Sequence, residues 1–286
     1  MISRASNDPI VERLAAFSHG EHGGNPAGVV ISEALPPPDE MQAIAKDVGY
    51  SETAFAAQVG DAWRVRYFAP EIEVPFCGHA TIALGAALAT RHGNGTFHLH
   101  LNEADITVEG RRTDDGLSAT LLSPPTRSIS ANPHLIEKAL DLFGYRQADL
   151  DHRLPPAIAE AGACHLVIAL SERQSLADMR YDFAQGRALM LESGFATISL
   201  VVADGDRRFH SRNPFAAGGI YEDPATGAAA AALAGYLRDV RWPHRGSIEI
   251  AQGDDMGVPC RLLAEISDQP GEGIRVSGRV RSIIAG

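Results

Sequence analysis

Three side chains in this sequence pair proton-transfer chemistry with settings that would put it to use: Glu52, His79 and Asp223. Glu52 stands in Ser51-Glu52-Thr53-Ala54-Phe55, a lone carboxylate between Tyr50 and an apolar run. Desolvation in such a setting raises a carboxyl pKa and makes the group an effective general acid-base. By spacing alone, a surface glutamate on a strand edge fits equally well. His79 lies in Phe76-Cys77-Gly78-His79-Ala80-Thr81, where a turn runs into a helix of small residues. An imidazole there exchanges protons near neutral pH, and the positive end of the helix favours its neutral form. The plain alternative is a histidine hydrogen-bonded in a turn. Asp223, beside Glu222, occupies a second turn-to-helix junction, Tyr221-Glu222-Asp223-Pro224-Ala225-Thr226. Acidic residues at a helix start are stabilising in their own right, so that pair has a structural explanation too.

The junctions themselves are candidates for binding. A helix N-terminus leaves backbone N–H groups unpaired and carries partial positive charge, which suits an anion. Two such junctions facing one another would clamp a carboxylate, as an amino-acid-like or aromatic-acid substrate requires. Gly78, Ala80 and Thr81 at the first, with Thr226, Gly227 and Ala228 at the second, are the substrate-binding candidates. Alternatively, Thr81 and Thr226 cap ordinary helices. Other chemistries have less to stand on. His98 and His100 share a strand face without a third ligand in view. Cys77, Cys164 and Cys260 are too few and too scattered for a disulfide framework or a zinc knuckle. Nucleophile elbow, dinucleotide fingerprint and Walker loop are all missing, so no nucleotide, flavin or metal is required.

The elements that must position these groups follow from pattern. Short apolar runs bounded by Gly, Pro, Asp or Asn read as strands at 28–32, 63–68, 97–101, 117–121, 165–170, 197–203, 247–251 and 274–284. Helical periodicity marks 39–48, 80–91, 133–143, 179–192 and 225–239. Regular βα alternation is lacking, which counts against a doubly wound sheet. Laying 76–81 over 221–226 holds a register in which Ala80 meets Ala225, Thr81 meets Thr226 and Leu88 meets Leu233. Helices of Ala, Gly and Leu all round are buried on most faces, and their small side chains let strands approach closely. The expected class is therefore α+β: two similar domains, each a barrel-like sheet wrapped around a central apolar helix. Their expected extents are 1–125, with a possible C-terminal strand 277–286, and 126–276, joined near Pro124-Pro125-Thr126.

At 286 residues and 45% hydrophobic, the chain can bury cores for both. A net charge of -11, from 25 basic against 36 acidic residues, argues against a nucleic-acid surface. Met1–Ile10 has no apolar run behind Arg4, and the weakly polar stretch Ala225–Leu237 is too short to span a bilayer. With so few cysteines, a reducing cytoplasm is the expected location.

In combination these motifs resemble the PhzF-like phenazine-biosynthesis family. Gly24-Asn25-Pro26-Ala27-Gly28-Val29-Val30, Ser51 to Phe55, Val74 to Thr81, and Glu222 to Gly227 match its signatures in order. Gln252-Gly253 with Met256-Gly257 resembles its late segment, although Val258 stands where Arg is usual. The resemblance implies a diaminopimelate-epimerase-like fold with the active site between two domains, a homodimer, and no cofactor. It makes Glu52 the general acid-base, with His79 and Asp223 as polar partners, in an isomerase resembling dihydro-hydroxyanthranilate isomerase. Two departures bear on the substrate: Ala228 where the phenazine enzyme has Ser, and Ser211-Arg212-Asn213-Pro214 where the family usually has an aromatic before Pro. A two-thiol epimerase is disfavoured, because Cys77 has no cysteine opposite it in the second motif. The other reading is a non-catalytic relative that binds a small acid or a protein.

Overall fold

A computed structural model of the chain describes residues 10–283. The N-terminal Met1–Pro9 stretch and the end of the expected last strand, 284–286, lie outside the described residues. Two compact units emerge, one of residues 10–16, 26–119 and 280–283, the other of 17–25 and 120–279. The expected boundary at 125/126 lies a few residues past Thr120, where the chain enters the second unit for the longer run.

Up to that point the elements are β1 (Val11–Ser18), β2 (Asn25–Ser32), α1 (Pro38–Val48), β3 (Thr53–Val59), β4 (Ala62–Phe68), β5 (Glu73–Val74), α2 (Gly78–His92), β6 (Gly95–His100), β7 (Asp105–Thr113) and β8 (Gly116–Leu122). β2 runs parallel to β3, β3 antiparallel to β4, and the two-residue β5 antiparallel to β4. After α2 the chain returns as β6 parallel to β4, with β7 antiparallel to β6. Helix α1 starts at Pro38, where a fixed φ and a missing N–H are no handicap, and ends at Gly49 in a left-handed cap. Its Met41 and Ala45 pack with Val30, Phe55 and Phe68, which anchors the strands on either side of Glu52.

The remaining elements are β9 (Arg127–Ser130), α3 (Pro133–Phe143), β10 (Ala157–Glu160), β11 (Cys164–Ala169), α4 (Arg173–Ala177), α5 (Phe183–Ser193), β12 (Thr197–Ala203), β13 (Arg208–Pro214), β14 (Glu222–Asp223), α6 (Gly227–Asp239), β15 (Ser247–Gln252), β16 (Cys260–Glu265) and β17 (Arg275–Ser282). Here β11 is parallel to β12, β12 antiparallel to β13, and the short β14 antiparallel to β13. After α6, β15 returns parallel to β13 and β16 runs antiparallel to β15. The helix expected over 179–192 begins only at Phe183, because Asp182 accepts from Gln185 N at 2.8 Å and caps the helix there.

The internal repeat is thus one of topology, and its register differs from the sequence alignment. The short strands Glu73–Val74 and Glu222–Asp223 correspond, and so do the helix starts Gly78 and Gly227. His79 then falls opposite Ala228 rather than Pro224, and Asp223 opposite Val74. The repeat also keeps an ion pair. Arg66 on β4 grips Glu73 on β5 at 2.7 and 2.6 Å, and Arg212 on β13 grips Glu222 on β14 at 2.9 and 2.5 Å.

Each unit buries one small-residue helix. His79 to Ala89 are buried in α2, and most of α6 is likewise buried. Glycine is what permits the approach: a Cβ on Gly110 would lie 2.0 Å from the Gly85 carbonyl, and one on Gly235 would lie 2.6 Å from Thr126 Cβ. Among the described residues, no helix is long and apolar enough to cross a membrane.

Candidate active site

In the first unit the site grows from a tight parallel strand pair. Gly28 on β2 faces Thr53 on β3, and a Cβ on Gly28 would sit 2.6 Å from Thr53 Oγ1. Gly28 N donates to the Glu52 carbonyl at 3.2 Å, so the backbone of Glu52 is fixed just ahead of β3. Its carboxylate Oε2 then lies 3.4 Å from Nε2 of His79, the second residue of α2. Ser51 Oγ lies 3.3 Å from the same nitrogen. On the other side of the ring, Cys77 Sγ is 3.4 Å from Nδ1. His79 is 7% exposed and Glu52 18%, so the carboxylate is the more reachable of the two.

The helix start is left open to a ligand. Cys77 holds the N-cap position of α2 without a side-chain capping bond. Thr81 does not cap; it lies inside the helix, donates to the Cys77 carbonyl at 2.7 Å and meets Tyr67 Oη at 2.7 Å. Burial holds the Tyr67 phenol well above its usual range, so it stays neutral and fixes this corner through hydrogen bonds. Ala80 and Thr81 are wholly buried, which confines their side chains to packing. Gly78 opens on free space, with nothing within 4 Å of where a Cβ would be. What the junction offers a ligand is therefore Gly78, the first-turn amides and the Glu52–His79 pair.

In the second unit Asp223 is a held carboxylate, 8% exposed. Asn25 Nδ2 donates to Oδ1 at 2.8 Å, and Thr226 Oγ1 donates to Oδ2 at 2.6 Å. Gln252 Nε2 donates to the Asp223 carbonyl at 2.7 Å, and Gln252 Oε1 accepts from Thr226 N at 3.2 Å. Thr226 occupies the N-cap position of α6, but its hydroxyl serves Asp223 instead of capping. The start of α6, with Gly227 and the half-buried Ala228, therefore also lacks a side-chain cap. Glu222 is held in a buried ion pair with Arg212.

Four participants were not singled out from the sequence: Ser51, Cys77, Asn25 and Gln252. All four stood in the matched motifs, and for Asn25 and Gln252 the signal was there to find, since a buried carboxylate and the backbone that carries it need donors. His98 and His100 are both exposed, with His100 Nδ1 spent on Asp105 at 2.7 Å. Glu52, Cys77 and His79, by contrast, bring three possible metal-ligand atoms within 4.8 Å of one another. A reading that required no metal did not anticipate that grouping.

In the first unit a carboxylate is set against an imidazole at a helix start without a side-chain cap, the pairing of groups that acid-base chemistry uses. Residues 14–286 match the PhzC-PhzF family, described as phenazine biosynthesis-like proteins. A trans-2,3-dihydro-3-hydroxyanthranilate isomerase of Pseudomonas fluorescens is 30% identical over 259 residues, covering 88% of each chain. An uncharacterized isomerase of Deinococcus radiodurans is 31% identical over 264 residues, covering 88% of this chain and 85% of its own. A PhzF-family structure from Bacillus anthracis shares the fold, with a TM-score of 0.84, 22% identity and 96% of both chains covered. The chain belongs to the PhzC-PhzF family.

Proposed function

We propose that this protein is an isomerase that moves a proton between two carbons of a small carboxylate-bearing substrate without a cofactor. The substrate is amino-acid-like or an aromatic acid, of the class named for its dihydro-hydroxyanthranilate isomerase relatives. The observation that carries the reading is the Glu52 carboxylate 3.4 Å from His79 Nε2 at the uncapped start of α2.

In this reading Glu52 takes a proton from one carbon and returns it to another. His79 donates through Nε2 toward Glu52 and Ser51, the two oxygen acceptors on that side, and its Nδ1 accepts from the Cys77 thiol. The ring thereby orients the carboxylate while leaving its second oxygen for the substrate. The amides at Gly78 and at Gly227–Ala228 bind the substrate carboxylate. Asp223, with its donors in place, aligns a polar group of the same molecule. The proposal includes each sheet curling as a barrel around its central helix, a substrate held in the cleft between the two domains, and a homodimeric protein of the cytoplasm without nucleic-acid or membrane partners. The binding-only alternative has less support, because a mere acid-binding site has no need of a carboxylate beside the anion-binding amides.

Proton exchange followed by NMR in deuterated water tests the reading, with trans-2,3-dihydro-3-hydroxyanthranilate and a panel of amino and hydroxy acids. Deuterium is expected to enter one substrate carbon. In Glu52→Gln the exchange rate is expected to fall by roughly 10²–10⁴-fold, the usual contribution of a positioned acid-base, with ligand affinity largely kept. An unaltered rate in Glu52→Gln would remove Glu52 from the mechanism.

A further inference from the structure

The strand that carries Asp223 has little backbone pairing to hold it. β14 is two residues long, and one of its two register partners on β13 is Pro214, which has no N–H to give. Arg212 fastens the Glu222 side chain. A second fastening lies two residues before Asp223, where Tyr181 and Tyr221 grip one another. Tyr181 N donates to Tyr221 Oη at 2.8 Å, and Tyr181 Oη donates to the Tyr221 carbonyl. The two rings stack with centroids 4.4 Å apart and 19° between their planes. Tyr181 is the anchored member of the pair. It is 9% exposed, belongs to the core that includes Leu140 and Met190, and meets Phe143 edge-on at 5.5 Å. Gly186, inside α5, makes room for it: a Cβ there would lie 2.4 Å from the Tyr181 ring. Glycine weakens a helix interior, and at this position it gives the ring its seat.

We propose that Tyr181 is a positioning residue for Asp223. Its hydroxyl and ring fix the backbone at Tyr221, and through it the strand on which the Asp223 carboxylate meets Asn25 and Thr226. The Tyr221 carbonyl also accepts from Phe215 N at 3.2 Å, so the Tyr181 hydroxyl takes up its second lone pair. Burial holds the Tyr181 phenol above its usual range, which keeps it a neutral donor at neutral pH. Only Glu222 separates Tyr221 from Asp223 in the chain, so a shift of the Tyr221 carbonyl is passed on to the carboxylate. What that placement contributes to turnover rests on the reading in which Asp223 aligns the substrate. The placement itself does not, and it can be measured without substrate.

The test reads placement and turnover separately, on the full chain. The Asn25 side-chain amide donates to Asp223 Oδ1, so its ¹H–¹⁵N NMR signals, identified by their loss in Asn25→Ala, report where the carboxylate sits. In Tyr181→Phe, which removes only the hydroxyl, these signals are expected to shift. Gly186→Ala is expected to shift them too, because the added Cβ displaces the ring while both hydroxyls remain. Leu154→Ala, a buried truncation outside that core cluster, is expected to lower the denaturation midpoint and leave the signals in place. Signals unmoved in Tyr181→Phe, or moved as far by Leu154→Ala, would overturn the proposal. In the proton-exchange assay Tyr181→Phe is expected to lose roughly tenfold, mainly in kcat, short of the about 10²-fold that a 1 Å misplacement costs. In an Asp223→Asn background it is expected to cause no further loss, since both changes act through one carboxylate. A full additional loss there would show that the tyrosine acts by another route and would also overturn the proposal. Unchanged turnover in Asp223→Asn alone would instead remove Asp223 from the isomerase reading, and the Asn25 signals would still decide the positioning.

Discussion

The carboxylate of Asp223 receives one hydrogen bond from Asn25 and one from Thr226, while Gln252 secures the backbone on which it stands. Asn25 is nearly as buried as any residue in the core. Replacing it with alanine leaves a largely buried carboxylate short of a donor, which costs about 1–3 kcal/mol. Asn25→Ala is therefore expected to lower stability by that amount in urea titration and to reduce isomerase turnover further than the stability loss explains. Turnover equal to the parent's at a temperature where the variant is fully folded would count against a role for Asp223. Glu52, His79 and Asp223 were legible as chemistry because each is an ionisable side chain at a turn or beside an apolar run. Asn25 was legible only as part of a motif. Its partner lies on the far side of the sequence, and nothing local to Gly24-Asn25-Pro26 says what the amide holds. Thr81 and Thr226 misled in the same way: each looked like a cap, and each spends its hydroxyl on another partner.

Two short strands carry much of the burden of placing these residues. β5 and β14 have two residues each, too few for any periodicity to show, so pattern reading could not find them. What fixes each is an arginine on the preceding strand. The Arg212–Glu222 side chains are 10% and 3% exposed, whereas Arg66–Glu73 are 20% and 27%. Breaking a buried pair strands its partner's charge and costs about 3–5 kcal/mol, while a partly exposed pair contributes about 1 kcal/mol or less. Arg212→Met is thus expected to destabilise the protein severely and Arg66→Met only mildly, read from denaturation midpoints at an unchanged m-value. Pairing Arg212→Met with Glu222→Leu is expected to recover much of the loss, since neither charge is then left alone. Equal effects of the two arginine variants would show that burial does not separate the two clamps. The small-residue helices, by contrast, were plain from the sequence, because a helix apolar on every side has to be buried.

At the scale of the molecule, a buried histidine away from the site sets how the fold meets acid. His165 on β11 is wholly buried, with Nδ1 bonded to Thr197 Oγ1 at 2.7 Å and Nε2 lacking a protein partner. Burial lowers its pKa from 6.5 to about 4. Above pH 6.5 the ring is neutral in both the folded and the unfolded chain, so it adds no pH dependence there. Between 6.5 and about 4 the unfolded chain takes up a proton that the folded chain refuses, and stability falls as the pH drops. At 1.36 kcal/mol per unit, the loss reaches about 3 kcal/mol, and below pH 4 both states carry the proton and the loss levels off. His210 and His244, also held down by burial, add to the decline in the same window. Carboxylates paired with arginine, such as Glu73 and Asp151, have lowered pKa values and give up their contribution only at lower pH. His165→Leu keeps the site apolar and removes the titrating group, leaving Thr197 Oγ1 its bond to Asn213. Unfolding free energies measured by urea titration between pH 7.5 and 4 are expected to fall less steeply in His165→Leu, by close to one bound proton across the window. Parallel slopes in the two proteins would mean that His165 takes up its proton in the folded state as readily as in the unfolded one, and the acid sensitivity would then belong to the other histidines.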